Sequence, residues 1–112
     1  MAVGRTPATR GDVHLVRLDP TLGSEIKKTR PCLVVSPDEL NQHLRTVIVA
    51  PMTTGGHAYP WRIPCRFQNG SGFVALDQLR TVDSECLVKR LGQLSSGSTT
   101  KVFEALQEMF AD

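Results

Sequence analysis

The apolar positions of this chain follow a two-residue period through most of its length and change to a helical period only at the end. Val13-His14-Leu15-Val16-Arg17-Leu18 reads as a strand, with Val13 and Leu15 on one face and Val16 and Leu18 on the other. Asp19-Pro20 stops it. The polar stretch Thr21–Arg30 has neither period. Cys32-Leu33-Val34-Val35 is a short buried-strand signal closed by Ser36-Pro37, and Thr46-Val47-Ile48-Val49-Ala50 is a second, β-branched and central in character. Thr53-Thr54-Gly55-Gly56 reads as a turn or loop tip. Trp61-Arg62-Ile63-Pro64-Cys65-Arg66-Phe67 alternates cleanly, with Trp61, Ile63, Cys65 and Phe67 on one face, and Pro60 and Pro64 confine it to an edge or an irregular pairing. Asn69-Gly70-Ser71-Gly72 is a hairpin signal leading into the strand Phe73-Val74-Ala75-Leu76. Leu87–Leu94 fits a short helix or a strand equally. Val102, Phe103, Leu106, Met109 and Phe110 then form one stripe of a helix, with Ser98, Thr99 or Thr100 as candidate caps.

Short strands in this number with one closing helix predict a mainly β fold, a small, strongly curved antiparallel sheet or barrel. Residues 1–10 are polar and aperiodic and read as a disordered lead, and residues 11–112 as a single domain. A length of 112 residues, 40% hydrophobic and 21% charged, is ordinary for one folded domain and excludes a disordered or collagen-like chain. No apolar run approaches the ~18–20 residues that span a bilayer. Arg5 and Arg10 are not followed by the apolar segment of a secretory signal, and three cysteines make no disulfide framework, so the expectation is a cytoplasmic protein with reduced thiols.

The net charge of +2 is modest, but it is unevenly spread. Residues 1–66 hold nine Lys/Arg against five Asp/Glu, a balance of +4, and residues 67–112 hold four against six, a balance of −2. A positive half attracts phosphates and acidic peptides alike. No phosphate-binding GxxxxGK[S/T] loop or GxGxxG is present, and Cys32, Cys65 and Cys86 stand too far apart for a zinc spacing. Cys32 and Cys65 lie inside apolar strands, where a free thiol behaves as a small buried hydrophobe. His14 falls within a strand, His43 in a polar connector, and His57 beside a glycine pair at a loop tip. The long polar segment from Gly23 to Pro31 is the best functional candidate, because long irregular loops on small scaffolds carry function. Arg30 closes it at the entrance to an apolar strand, where its guanidinium either grips a phosphate or pairs with a carboxylate such as Asp12 or Asp77.

Four ordered blocks carry a resemblance to a known family. Arg10-Gly11-Asp12-Val13 with Leu18-Asp19-Pro20-Thr21-Leu22-Gly23-Ser24-Glu25 is the first, and Thr29-Arg30-Pro31-Cys32-Leu33-Val34-Val35-Ser36 the second. Val49-Ala50-Pro51-Met52-Thr53-Thr54-Gly55-Gly56 is the third, and Val74-Ala75-Leu76-Asp77-Gln78-Leu79-Arg80-Thr81-Val82-Asp83 the fourth. Together they resemble the MazF/PemK family, the endoribonuclease (mRNA interferase) toxins of bacterial toxin–antitoxin pairs. The resemblance implies an SH3-like or CcdB-like barrel with a C-terminal helix, assembled as a homodimer. It implies catalytic roles for Arg30 and Thr53, with Glu25 implicated beside them. Ser24 lies with Glu25 in a loop over the RNA, and Asp77 and Gln78 stand in a block used for base contacts or proton transfer. Where PemK-branch relatives carry Arg two residues before this Asp and His before the Glu, this chain has Ala75 and Ser24.

The implied reaction is transesterification without metal or other cofactor. The ribose 2′-OH attacks its own phosphate, leaving a 2′,3′-cyclic phosphate and a 5′-OH. Arg30 and Thr53 would stabilise the charge that grows on the phosphoryl group, and Glu25 or Asp77 would accept the 2′-OH proton. Thr54, His57, Ser24, Asp77 and Gln78 are the polar groups left to contact single-stranded RNA. The expected partners are that RNA, a cognate antitoxin with an acidic tail, and a second copy of the chain, with no membrane. Two alternatives are a non-catalytic, gyrase-poison-like module on the same barrel and a cysteine-dependent hydrolase.

Overall fold

A computed structural model describes residues 6–18, 29–55 and 58–112. The alternating segments form seven strands: β1 (Asp12–Arg17), β2 (Thr29–Val34), β3 (Thr46–Thr53), β4 (Arg62–Phe67), β5 (Gly70–Ala75), β6 (Arg80–Asp83) and β7 (Leu87–Gln93). Two helices complete the fold, α1 (Asp38–His43) and α2 (Ser96–Met109). All pairings are antiparallel, in the order β4-β5-β3-β2-β1-β7, with β6 added to β3. The Pro-bearing strand β4 is at the edge, as its prolines require.

Pairing runs β6-β3-β2-β1-β7, and the 3-10 turn Ser84–Cys86 joins β6 directly to β7. All five strands contribute to one apolar cluster: Val16, Cys32, Val34, Val47, Val49 and Val82, with Leu87 packed against them. The sheet therefore curls around this cluster as a small barrel. The opposite face holds a second core, in which Val13, Leu33, Ala50, Met52, Cys65, Val74, Leu76, Leu94 and Val102 are covered by the β4–β5 hairpin and α2. Val13 and Val16 thus serve different cores, as the alternation predicts.

Several local expectations change. The hairpin turn is Gln68-Asn69, both at positive φ (50° and 67°), and Gly70 already pairs with Phe67 in the ladder. Leu87–Gln93 is a strand, because β1 offers an open edge along its length. The cap of α2 is Ser95, whose hydroxyl accepts from the Ser98 amide at 3.2 Å. It is the first side-chain oxygen after buried Leu94, so the helix starts before Ser98, Thr99 or Thr100 could cap it. The end of the expected disordered lead is docked. Ala8 is buried, its carbonyl accepts from Asn41 Nδ2 at 3.1 Å, and Arg10 donates through Nε to the Val35 carbonyl at 2.9 Å. That Asn41 belongs to α1, a helix not foreseen among polar residues, although Pro37-Asp38-Glu39 is an ordinary helix start.

Candidate functional site

β1, β2 and β3 turn over at a common end of the barrel. Arg17 pairs with Thr29, and Cys32 with Pro51, so the end of β1, the start of β2 and the end of β3 share one rim. Arg30 and Thr53 stand two residues beyond the last β2–β3 pair, Cys32 and Pro51, one on each strand. The two-residue period puts both on the face that carries Cys32, Val34 and Val49 into the barrel. The rim therefore carries Arg30 and Thr53, both half-buried residues, on adjacent strands.

Each is held by its surroundings. Arg30 pairs with Val16 of β1 in the ladder, and its carbonyl accepts a weak 3.6 Å hydrogen bond from Cys32 Sγ. Neither Asp12 nor Asp77 partners it. Asp12 bonds Arg90 at 3.2 Å, and Asp77 is taken by Arg62. Thr53 Oγ1 donates to the Gly55 carbonyl at 3.1 Å, which ties the strand end to the bend after it, and Thr54 is exposed beside it. The neighbouring strand explains how Thr53 can sit there. A Cβ on Gly72 would lie 1.9 Å from the Thr53 carbonyl oxygen, so only glycine lets β5 pass this close. On the outer side of this crossing, a cleft of about 640 Å³ runs between Thr54, Gly55, Arg66, Ser71 and the start of α2.

Asp77 and Gln78 come from an excursion. β5 pairs with Met52 and Thr53, and β6 resumes at Val49, which leaves Ala50 and Pro51 unpaired on that edge. The chain between bulges out as the 3-10 turn Leu76–Gln78, with Asp77 and Gln78 exposed. Arg62 grips Asp77 with two bonds, Nε at 2.7 Å and Nη2 at 3.0 Å, and lies 5.4 Å from the centre of the Tyr59 ring. These hydrogen bonds hold the Asp77 carboxyl below the usual carboxylate range, so it is a weak proton acceptor. Ser24, Glu25 and His57 lie outside the described residues.

Sequence reasoning passed over Arg80, Arg62 and Gly72. Arg80 opens β6 opposite Val49, half-buried, on the face that sends Val82 into the barrel. The strand alternation around Val82 was the available signal. Beneath the arginines lies Cys32, fully buried, whose thiol is pushed up to about 12 by burial although Arg80 and Arg30 favour its anion. Burial also raises Cys65. Neither thiol is a nucleophile at neutral pH, which removes the support for a cysteine hydrolase based on them.

A small curled antiparallel barrel closed by a C-terminal helix, with arginines at one mouth, defines the class of fold. Residues 9–110 match the model of the family described as PemK-like, MazF-like toxin of type II toxin-antitoxin system, and the chain belongs to that family. Endoribonuclease PemK of Escherichia coli is 38% identical over 79 residues, covering 66% of this chain and 59% of that protein. The chain thus matches less than two thirds of that relative's length. Among solved structures, MazF from Deinococcus radiodurans superposes with a TM-score of 0.79 at 22% identity, covering 94% of this chain and 97% of that one. A mycobacterial endoribonuclease in complex with its cognate antitoxin gives 0.74 at 24%, covering 90% and 92%. These likenesses agree with the barrel and C-terminal helix expected from the sequence.

Proposed function

We propose that this chain is a sequence-specific endoribonuclease that cuts single-stranded RNA and acts in the cytoplasm as a growth-inhibiting toxin, neutralised by an antitoxin. The observation that carries this reading is the shared rim position of Arg30 and Thr53, on adjacent strands and on one face. The 2′-oxygen forms a bond to phosphorus as the bond from phosphorus to the 5′-oxygen breaks. One proton leaves the 2′-OH and one reaches the departing 5′-oxygen. The products are a 2′,3′-cyclic phosphate and a 5′-OH, and the nucleophile needs no metal-activated water.

Arg30 supplies a permanent, planar donor pair to the phosphoryl oxygens as their charge grows. The Thr53 hydroxyl donates to Gly55 in the free protein, and it turns its hydrogen to the phosphoryl group once RNA opens the 54–55 bend. Glu25 is the better candidate for accepting the 2′-OH proton, because Asp77 is held in its ionised form by Arg62. Asp77 and Gln78 then contact RNA from the exposed 3-10 turn. The test is single-turnover cleavage of one long RNA, with and without EDTA, followed by mapping of the new ends. Cyclic phosphate ends formed at equal rates in both are expected. Failure to cut, or abolition by EDTA, overturns the reading, and RNA binding without cutting would assign the barrel a non-catalytic role.

A further inference from the structure

The barrel mouth holds a second arginine that the assigned pair does not use. Arg80 is level with Val49 and Val34 across three adjacent strands, and the face they share continues through Cys32 to Arg30. The two arginines therefore enter the same end of the barrel from β2 and β6, on opposite sides of β3, with the Cys32 thiol as the floor between them. Both arginines favour the anion of that thiol, as neighbouring positive charges do. Among the described residues the ion pairs between permanently charged groups are Arg62–Asp77 and Arg90–Asp12, and neither mouth arginine belongs to one. The nearest block carboxylate, Asp77, is satisfied by Arg62 on the outer side. Cations that face one barrel interior over an apolar floor repel one another, and an anion between them relieves that repulsion.

We propose that Arg80 is a second phosphodiester-binding residue, which together with Arg30 clamps the RNA backbone across the end of β3. This rests on the endoribonuclease reading above. Arg80 fixes the strand while Arg30 meets the reacting phosphoryl group, so its loss weakens binding more than it slows the chemical step.

The experiment measures affinity for a short single-stranded RNA carrying 2′-O-methyl groups on every ribose, which prevents cutting, at several salt concentrations. Each phosphate contact on a single strand contributes about 0.7 to the slope of log K against log salt. Arg80→Gln is expected to lower the wild-type slope by about that amount, and Arg80→Lys, which keeps the charge, to preserve most of it. Guanidinium nitrogen resonances of Arg80 in the wild-type protein should also shift on addition of the same RNA, a readout independent of how the variants fold. An unchanged slope in Arg80→Gln, or an unmoved Arg80 resonance, in a protein that binds and cuts RNA overturns the clamp and leaves the enzymatic reading intact. If the wild type neither binds nor cuts RNA, both fall.

Discussion

At the residue scale, Arg30 and Thr53 differ in what substitution removes. Arg30→Lys keeps the charge but loses the planar fork, and such sites do not accept that exchange. Cleavage by Arg30→Lys is therefore expected to remain badly impaired. Thr53→Val keeps the shape and removes the hydroxyl with its bond to Gly55, so, with one donor to the phosphoryl group lost, a single-turnover rate lower by ~10²–10³ is expected. Both variants should melt like the wild type. A near-wild-type rate for Arg30→Lys would remove it from the site. His14 makes a different prediction. It sits in β1 between Cys32 of β2 and Arg90 of β7, with neither ring nitrogen hydrogen-bonded and Asp12 3.8 Å away. Burial lowers its pKa below 6.5, and Arg90 adds to this, against the pull of Asp12. The unfolded chain then takes up the proton first on acidification. Stability is level above about 6.5 and falls as pH drops through the folded value, a window above that of Asp77, which titrates below 3.8. Melting temperatures at pH 7.5 and 5.5 should differ in the wild type, and less so in His14→Leu.

At the element scale, the reach of β5 past the end of β3 governs the site. In Gly72→Ala the new methyl meets the Thr53 carbonyl backbone rather than a movable side chain. The hairpin or the Thr53–Thr54 segment must shift, and a shift of ~1 Å at a reacting group costs about a hundredfold. Gly72→Ala is expected to retain cooperative melting at a lower temperature while cleavage falls at least as far as in Thr53→Val. Intact cleavage would show that Thr53 need not be held there. Such elements also mark where the sequence was legible. Strands with one buried face, such as Trp61–Phe67, are written in the alternation, because each residue's face follows from its neighbour's. The pairing partners are not. Whether Leu87–Gln93 becomes a strand depends on the open edge of β1, far away in sequence. α1 was hidden because its one buried residue is polar, and Asn41 is satisfied by the Ala8 and Ser36 carbonyls and the Ser36 hydroxyl, which tertiary structure supplies. Arg30 and Thr53 were found through the family blocks, whereas the opposition of Arg80 to Val49 across β6 and β3 appears only once strands are paired.

At the scale of the whole molecule, the surface decides how the toxin is held inactive and how it assembles. The apolar helix stripe read from the sequence is mostly used within the chain. Val102 is buried, and Phe103, Leu106 and Met109 pack on the barrel, so that only Phe110 stays open, at 72% exposure. A homodimer, which the family resemblance implies, therefore draws little of its contact from α2, and sedimentation should leave its affinity unaltered by Phe110→Ser. The stronger whole-molecule argument is electrostatic. Positive charge is concentrated in residues 1–66, whose Arg30 stands at the mouth, while residues 67–112 are net negative. A basic surface that would receive an RNA backbone, as proposed, would also attract an acidic peptide, and a disordered acidic tail would gain by ordering over it. The antitoxin and RNA are then competitors for one mouth. Titration of the toxin with a peptide from the acidic tail should raise the apparent dissociation constant of the uncuttable RNA in proportion to free peptide, with the effect weakening as salt screens both. Peptide and RNA bound together, each at its own unaltered affinity, would place the inhibitor elsewhere and make its action allosteric rather than occlusive.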